Sequence, residues 1–122
     1  MAARTKVHTI IDGDIDPWMT QLLALLEPFL KLRGTIPARA VQAFVLVAQK
    51  EGRTVGELAK LAGCAQSTMS RNLLDLGDHD RRMEPGAGLV VGKVSVENRR
   101  ERVYSLSRQG RKLLEKLRER AQ

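Results

Sequence analysis

Between Val55 and Leu76 the chain reads VGELAKLAGCAQSTMSRNLLDL, and no other stretch restricts its folding options so tightly. Ala59, Gly63 and Met69 fall at the spacing of a helix-turn-helix. A small residue at 59 lets two helices cross closely, Gly63 permits the positive φ of a tight turn, and Met69 plugs the crossing from the second helix. Thr54 and Glu57 have capping-box spacing, each satisfying a backbone donor at the other, so the first helix opens there and closes at Gly63. The second runs from about Gln66 to Leu76, with Gly77 as its stop. Leu58, Leu61, Leu73 and either Leu74 or Leu76 are expected to bind the pair to a core.

Other segments follow from local signals. Asp16-Pro17 reads as a cap and first helical position, opening a helix towards Arg33 and Gly34 that Pro28 should kink. Trp18, Met19, Leu22, Leu23, Leu25, Leu26, Phe29, Leu30 and Leu32 make this helix apolar on most sides, and in so small a protein a second subunit is the expected cover. A further helix is expected from near Pro37 to Glu51-Gly52, with Val41, Phe44, Val45, Val47 and Ala48 inward. The first dozen residues read as frayed or extended, and 78–88 as a loop. Leu89–Val96 and Arg102–Leu106 are β-branched or alternating and flank a basic tip, Glu97 to Glu101, as in a β-hairpin. Ser107 caps a last helix, whose stripe is Leu113, Leu114, Leu117 and Ala121.

The expected fold class is mainly α with a small β-hairpin wing of two or three strands, a winged helix-turn-helix. Residues 1–122 form one domain: 15–33 and 107–122 are dimerisation helices, 54–77 the helix-turn-helix and 89–106 the wing. The expected dimer contacts are Trp18, Leu22, Leu25, Leu26, Phe29, Leu113 and Leu117.

The chain of 122 residues carries a net charge of +7, which favours a polyanionic partner, most commonly nucleic acid. A membrane surface suits it less well, because the basic residues are spread over loops and two helices. A lone Cys64 excludes an intrachain disulfide, and no signal-peptide pattern or membrane-length apolar run occurs, so the expectation is a cytoplasmic protein. His79 between Asp78 and Asp80 reads as a solvated loop residue and not a metal ligand, and Cys64 as a small core thiol before a redox switch. No nucleophile-base order, phosphate loop or carboxylate pair suggests an enzyme, a metal or a cofactor.

The start of the second helix of the pair offers Gln66, Ser67, Thr68, Ser70, Arg71 and Asn72, groups suited to base edges and phosphates. Arg99, Arg100 and Arg102 would serve the wing, with Lys93 and Arg53 reaching phosphate. From about Pro37 to Leu117 the chain resembles the MarR family of bacterial repressors. The likeness rests on Val55-Gly-Glu-Leu-Ala59, Ser67-Thr-Met-Ser-Arg71, Gly88-Leu-Val90, and Asn98-Arg-Arg100 followed by Leu106-Ser-Arg-Gln-Gly110. The resemblance implies a homodimer on double-stranded DNA, with the helix from Gln66 in the major groove, Arg100 in the minor groove, and a small aromatic effector. Three local departures stand out: Asn98 replaces the usual Asp of the wing, Ala65 replaces a capping Ser, and the 78–87 loop is longer. One helix closes the chain where many relatives have two, so the dimer is expected to lean on the helix from Pro17. The expected function is operator binding by a transcriptional repressor. The alternatives are a plasmid or phage winged-helix module of low sequence specificity and a winged helix that contacts proteins.

Overall fold

The computed structural model describes residues 14–77 and 86–121. The expectations for the first dozen residues, for His79 and for most of the 78–88 loop lie outside these residues.

Helix α1 spans Pro17–Leu32, and the Asp16 carboxylate accepts from the Trp18 N–H at 2.8 Å. Pro28 lies buried inside it and has no N–H to give the Ala24 carbonyl. Arg120 of the last helix fills that gap. Its Nη1 donates to the Ala24 oxygen at 3.2 Å and to Glu27 Oε1 at 2.6 Å. A proline that would otherwise orphan a carbonyl thus creates a docking point between the two ends of the chain. The helix ends on Arg33 in an extended conformation, and Gly34 does not take a left-handed one.

Helix α2, Ala38–Gln49, buries Ala40, Ala43, Phe44 and Val47. Phe44 meets Phe29 of α1 edge to face, with ring centroids 5.6 Å apart. Val45, expected inward, is exposed, because the helical period places it opposite Ala43, Phe44 and Val47.

Strand β1, Arg53–Thr54, precedes the helix-turn-helix formed by α3, Val55–Ala62, and α4, Gln66–Leu76. The wing strands are β2, Val90–Val94, and β3, Arg102–Leu106; the antiparallel sheet has the order β1-β3-β2. Beyond the short β1 the Glu51 carboxylate replaces a strand. Its Oε2 accepts from the Leu106 N–H at 2.7 Å, and both its oxygens accept from Arg111.

Helix α5, Arg108–Arg120, is capped by Ser107, whose Oγ accepts from the Gly110 N–H and donates to the Gly88 carbonyl. Gly110 is required by proximity: a Cβ there would sit 2.1 Å from the Leu89 carbonyl oxygen. The core gathers Phe44, Val47, Leu58, Met69, Leu73 and Leu76, with Leu89, Val90, Leu106 and Leu113 closing it from the wing and α5. Leu61 and Leu74 are exposed and contribute nothing to it.

Candidate nucleic-acid interface

The helix-turn-helix is built as its spacing requires. Thr54 Oγ1 accepts from the Glu57 N–H, while Glu57 Oε1 accepts from the Thr54 N–H at 2.9 Å, a reciprocal cap. That backbone hydrogen bond holds the Glu57 carboxyl below the usual glutamate range. Gly63 turns the chain at φ +71°, and Met69 is fully buried at the crossing beside Leu58 and Ala59.

Helix α4 therefore has a fixed inner face of Met69, Leu73 and Leu76, and its outer stripe follows from the helical period. Gln66, Ser67, Ser70 and Arg71 are exposed on it, and Leu74 continues it. Thr68 and Asn72 are half-buried at its flank, and Asn72 Nδ2 donates back to the Thr68 carbonyl at 2.9 Å. Asn72 is thus engaged within its own helix and is not presented as expected. Ala65 caps α4 without a side-chain bond, so the first-turn N–H groups remain open to an anion.

The wing tip is organised by two short polar side chains. Ser95 Oγ accepts from the N–H groups of Glu97 and Asn98, and Asn98 Oδ1 accepts from the Arg100 N–H at 3.0 Å. Asn98 thereby does by hydrogen bonding what an ion pair would otherwise do, and Arg99 and Arg100 are exposed at the apex. At the base of the wing, Gly92 leaves room for the Tyr104 ring, and burial pushes that phenol up.

No protein-family model matches the sequence, and no curated protein matches it. Solved structures do. The chain is similar to RV1404 from Mycobacterium tuberculosis, at 19% identity over 99% of this chain and 77% of that one, with a TM-score of 0.69. It is also similar to a MarR transcriptional regulator from Methanosarcina mazei Go1, at 15% identity over 85% of this chain and 68% of that one, TM-score 0.63. The fold is that of the MarR regulators. FabT from Streptococcus pneumoniae, solved in complex with DNA, shares it at 18% identity over 94% of this chain and 75% of that one, TM-score 0.59.

Within this MarR fold several of the arginines are bonded to the protein itself. Arg53 Nη1 donates to the Leu46 carbonyl at 3.0 Å and to Gln49 Oε1, closing the end of α2 instead of standing free for phosphate. Arg102 Nη1 reaches the Gly92 carbonyl across the hairpin. Arg39 donates to the Ala62 carbonyl at the end of α3 and to Gln42, and Arg111 is held by Glu51. By contrast, Arg71, Lys93, Arg99 and Arg100 are exposed, and their side chains make no hydrogen bond or ion pair among the described residues. Sequence reasoning missed the tertiary roles of Arg39, Glu51 and Arg111, since the Ala62 carbonyl lies 23 residues from Arg39 and Leu106 lies 55 from Glu51, which leaves no local pattern.

The expected dimer residues divide by exposure. Trp18, Leu22 and Leu26 are exposed on α1, continuous with Met19, Leu23 and Leu30. Leu25 and Leu117 are half-buried. Phe29 and Leu113 are 3% and 5% exposed within the single chain, so they belong to its core and have no surface left for a partner. A groove of about 580 Å³ runs between α1 and α5, with Pro28, Leu32 and Leu113 in its wall under Lys31, Lys112 and Lys116. Cys64 is half-buried against the core, and among the described residues no cluster of His, Cys, Asp or Glu could hold a metal. No described helix is long and apolar enough to cross a membrane.

Proposed function

We propose that this protein is a transcriptional regulator that binds double-stranded DNA sequence-specifically as a homodimer and represses by occupying an operator. The observation that carries the reading is the set of free cations that the recognition helix and the wing present together. Arg71 on the outer stripe of α4 and Lys93, Arg99 and Arg100 on the wing are exposed with side chains unpaired among the described residues, alongside the open N-terminus of α4. Arg39, Arg53, Arg111 and Arg120 are instead bonded within the fold.

Each part has a role in this reading. Gln66, Ser67, Ser70 and Arg71 face the major groove, where forked donors and acceptors distinguish base pairs. Arg100 enters the minor groove, whose narrow segments concentrate negative potential, and Lys93 and Arg99 neutralise phosphate. The apolar stripe of α1 meets its copy in a second subunit, which sets two recognition helices about one DNA turn apart. FabT was solved on DNA with the same fold, which supports the assignment. The groove between α1 and α5 has the apolar walls and lysines to admit a small aromatic anion as effector. A rise in melting temperature with millimolar benzoate checks that part, and no rise would remove it.

Selection of bound duplexes from a random library, with Arg71→Ala and Arg100→Ala run beside the natural protein, tests the main reading. Enrichment of an inverted repeat that the variants lose is the expected result. Enrichment of nothing, with binding that only fades as salt rises, would replace it with a non-specific module. Absence of binding at low salt would leave a protein-contacting winged helix.

A further inference from the structure

Gly56, in the first turn of α3, has no conformational need to be glycine. Among the described residues the glycines of positive φ are Gly52, Gly63 and Gly88, and Gly56 is not one of them. In a helix, glycine costs about 0.5–1 kcal/mol relative to alanine. What its missing side chain provides is space for Gln66. A Cβ at 56 would lie 2.8 Å from Gln66 Nε2, with Gln66 Cδ at 3.8 Å and Thr54 Oγ1 at 3.9 Å as the next nearest atoms. The first residue of the recognition helix thus leans its amide over the first turn of the preceding helix. There the amide makes no hydrogen bond to any described residue, although Gln66 is exposed.

We propose that Gly56 is a positioning residue for base recognition: by leaving room for the Gln66 amide, it fixes the direction in which that amide meets a base edge. The inference rests on the DNA-binding reading above. A glutamine amide offers a donor and an acceptor side by side, the pattern that pairs with N7 and N6 of adenine, so an A·T pair is the expected target. Direction matters because both bonds of such a pair form only when the amide plane meets the base plane. A methyl group at 56 meets only the mobile end of a side chain, so the fold tolerates it while the amide is displaced.

The test is selection of bound duplexes by the full-length protein and its Gly56→Ala, Gln66→Ala and doubly substituted forms, with the melting temperature of each. Gly56→Ala is expected to melt at or above the natural protein, because a compatible helical glycine replaced by alanine stabilises. It should lose about tenfold of its base discrimination at one position in each half-site. That position should be the one Gln66→Ala loses, and the double substitution should remove nothing more. The inference is overturned by an unchanged preference, by loss at a position indifferent to Gln66, or by a marked drop in melting temperature. A natural protein that enriches no sequence would instead overturn the DNA-binding reading, and this inference with it.

Discussion

Gly110 and Pro28 show how single residues fix the ends of this molecule. With the Leu89 carbonyl oxygen 2.1 Å from where a Cβ would stand, Gly110→Ala must push α5 away from the wing. The expected cost is about 1–3 kcal/mol in urea unfolding, the range for forced overpacking; a change below about 0.3 kcal/mol would show that α5 docks differently. Pro28 acts by subtraction, freeing the Ala24 carbonyl that Arg120 takes. The adjoining Glu27 carboxyl is held below the usual glutamate range, by its hydrogen bond to Arg120 first and by the charge of Lys31 next. Glu27 and Glu57 are thus both ionised more readily in the folded chain than in the unfolded one. Their contribution is complete above the ordinary value of 4.5 and is lost as pH falls through their lowered folded values. Unfolding measured from pH 7 to pH 3 should show Glu57→Gln losing less stability on acidification than the natural protein. Parallel curves would contradict that cause.

At the scale of elements, the helix-turn-helix was legible because its signals are local. The capping box, the turn at Gly63 and the plug at Met69 all lie within a few residues of what they act on. The uncapped start at Ala65 was also readable, and it supports a direct expectation. Ala65→Ser should supply the missing acceptor and raise stability by about 0.5–1 kcal/mol, seen as a rise in melting temperature; no change would mean that the first turn of α4 is already satisfied. Elements defined by distant partners were not legible. Strand β1 is two residues long and exists because β3 lies beside it, so no alternation could announce it. Val45, Leu61 and Leu74 look like core residues by type, but the angular position that exposes them depends on where the neighbouring helices pack. Arg53 and Arg102 likewise look like surface charges until the carbonyls they hold are seen.

For the whole molecule the feature of most consequence is the exposed apolar face of α1. Trp18 is 69% and Leu23 is 68% exposed, at the centre of a stripe running from Ile15 to Leu30. In the proposed function that stripe is the subunit contact, so Leu23→Glu should give a monomer in sedimentation at micromolar concentration while the helical circular dichroism is kept. A variant that sediments as the natural protein does would place the contact elsewhere. Aromatic Phe29 and Leu113 would give no such clean result, being core residues whose loss unfolds the chain. The central claim is that the α4 stripe and the wing tip grip one duplex together, and the most direct test is affinity for the selected duplex and for a scrambled one across a salt series. Arg71→Ala is expected to collapse the ratio between the two duplexes by about tenfold or more. Joint replacement of Arg99 and Arg100 by alanine is expected to weaken both and to lower the salt slope by about one per arginine. Affinities and slopes indistinguishable from those of the natural protein in both variants would contradict the account.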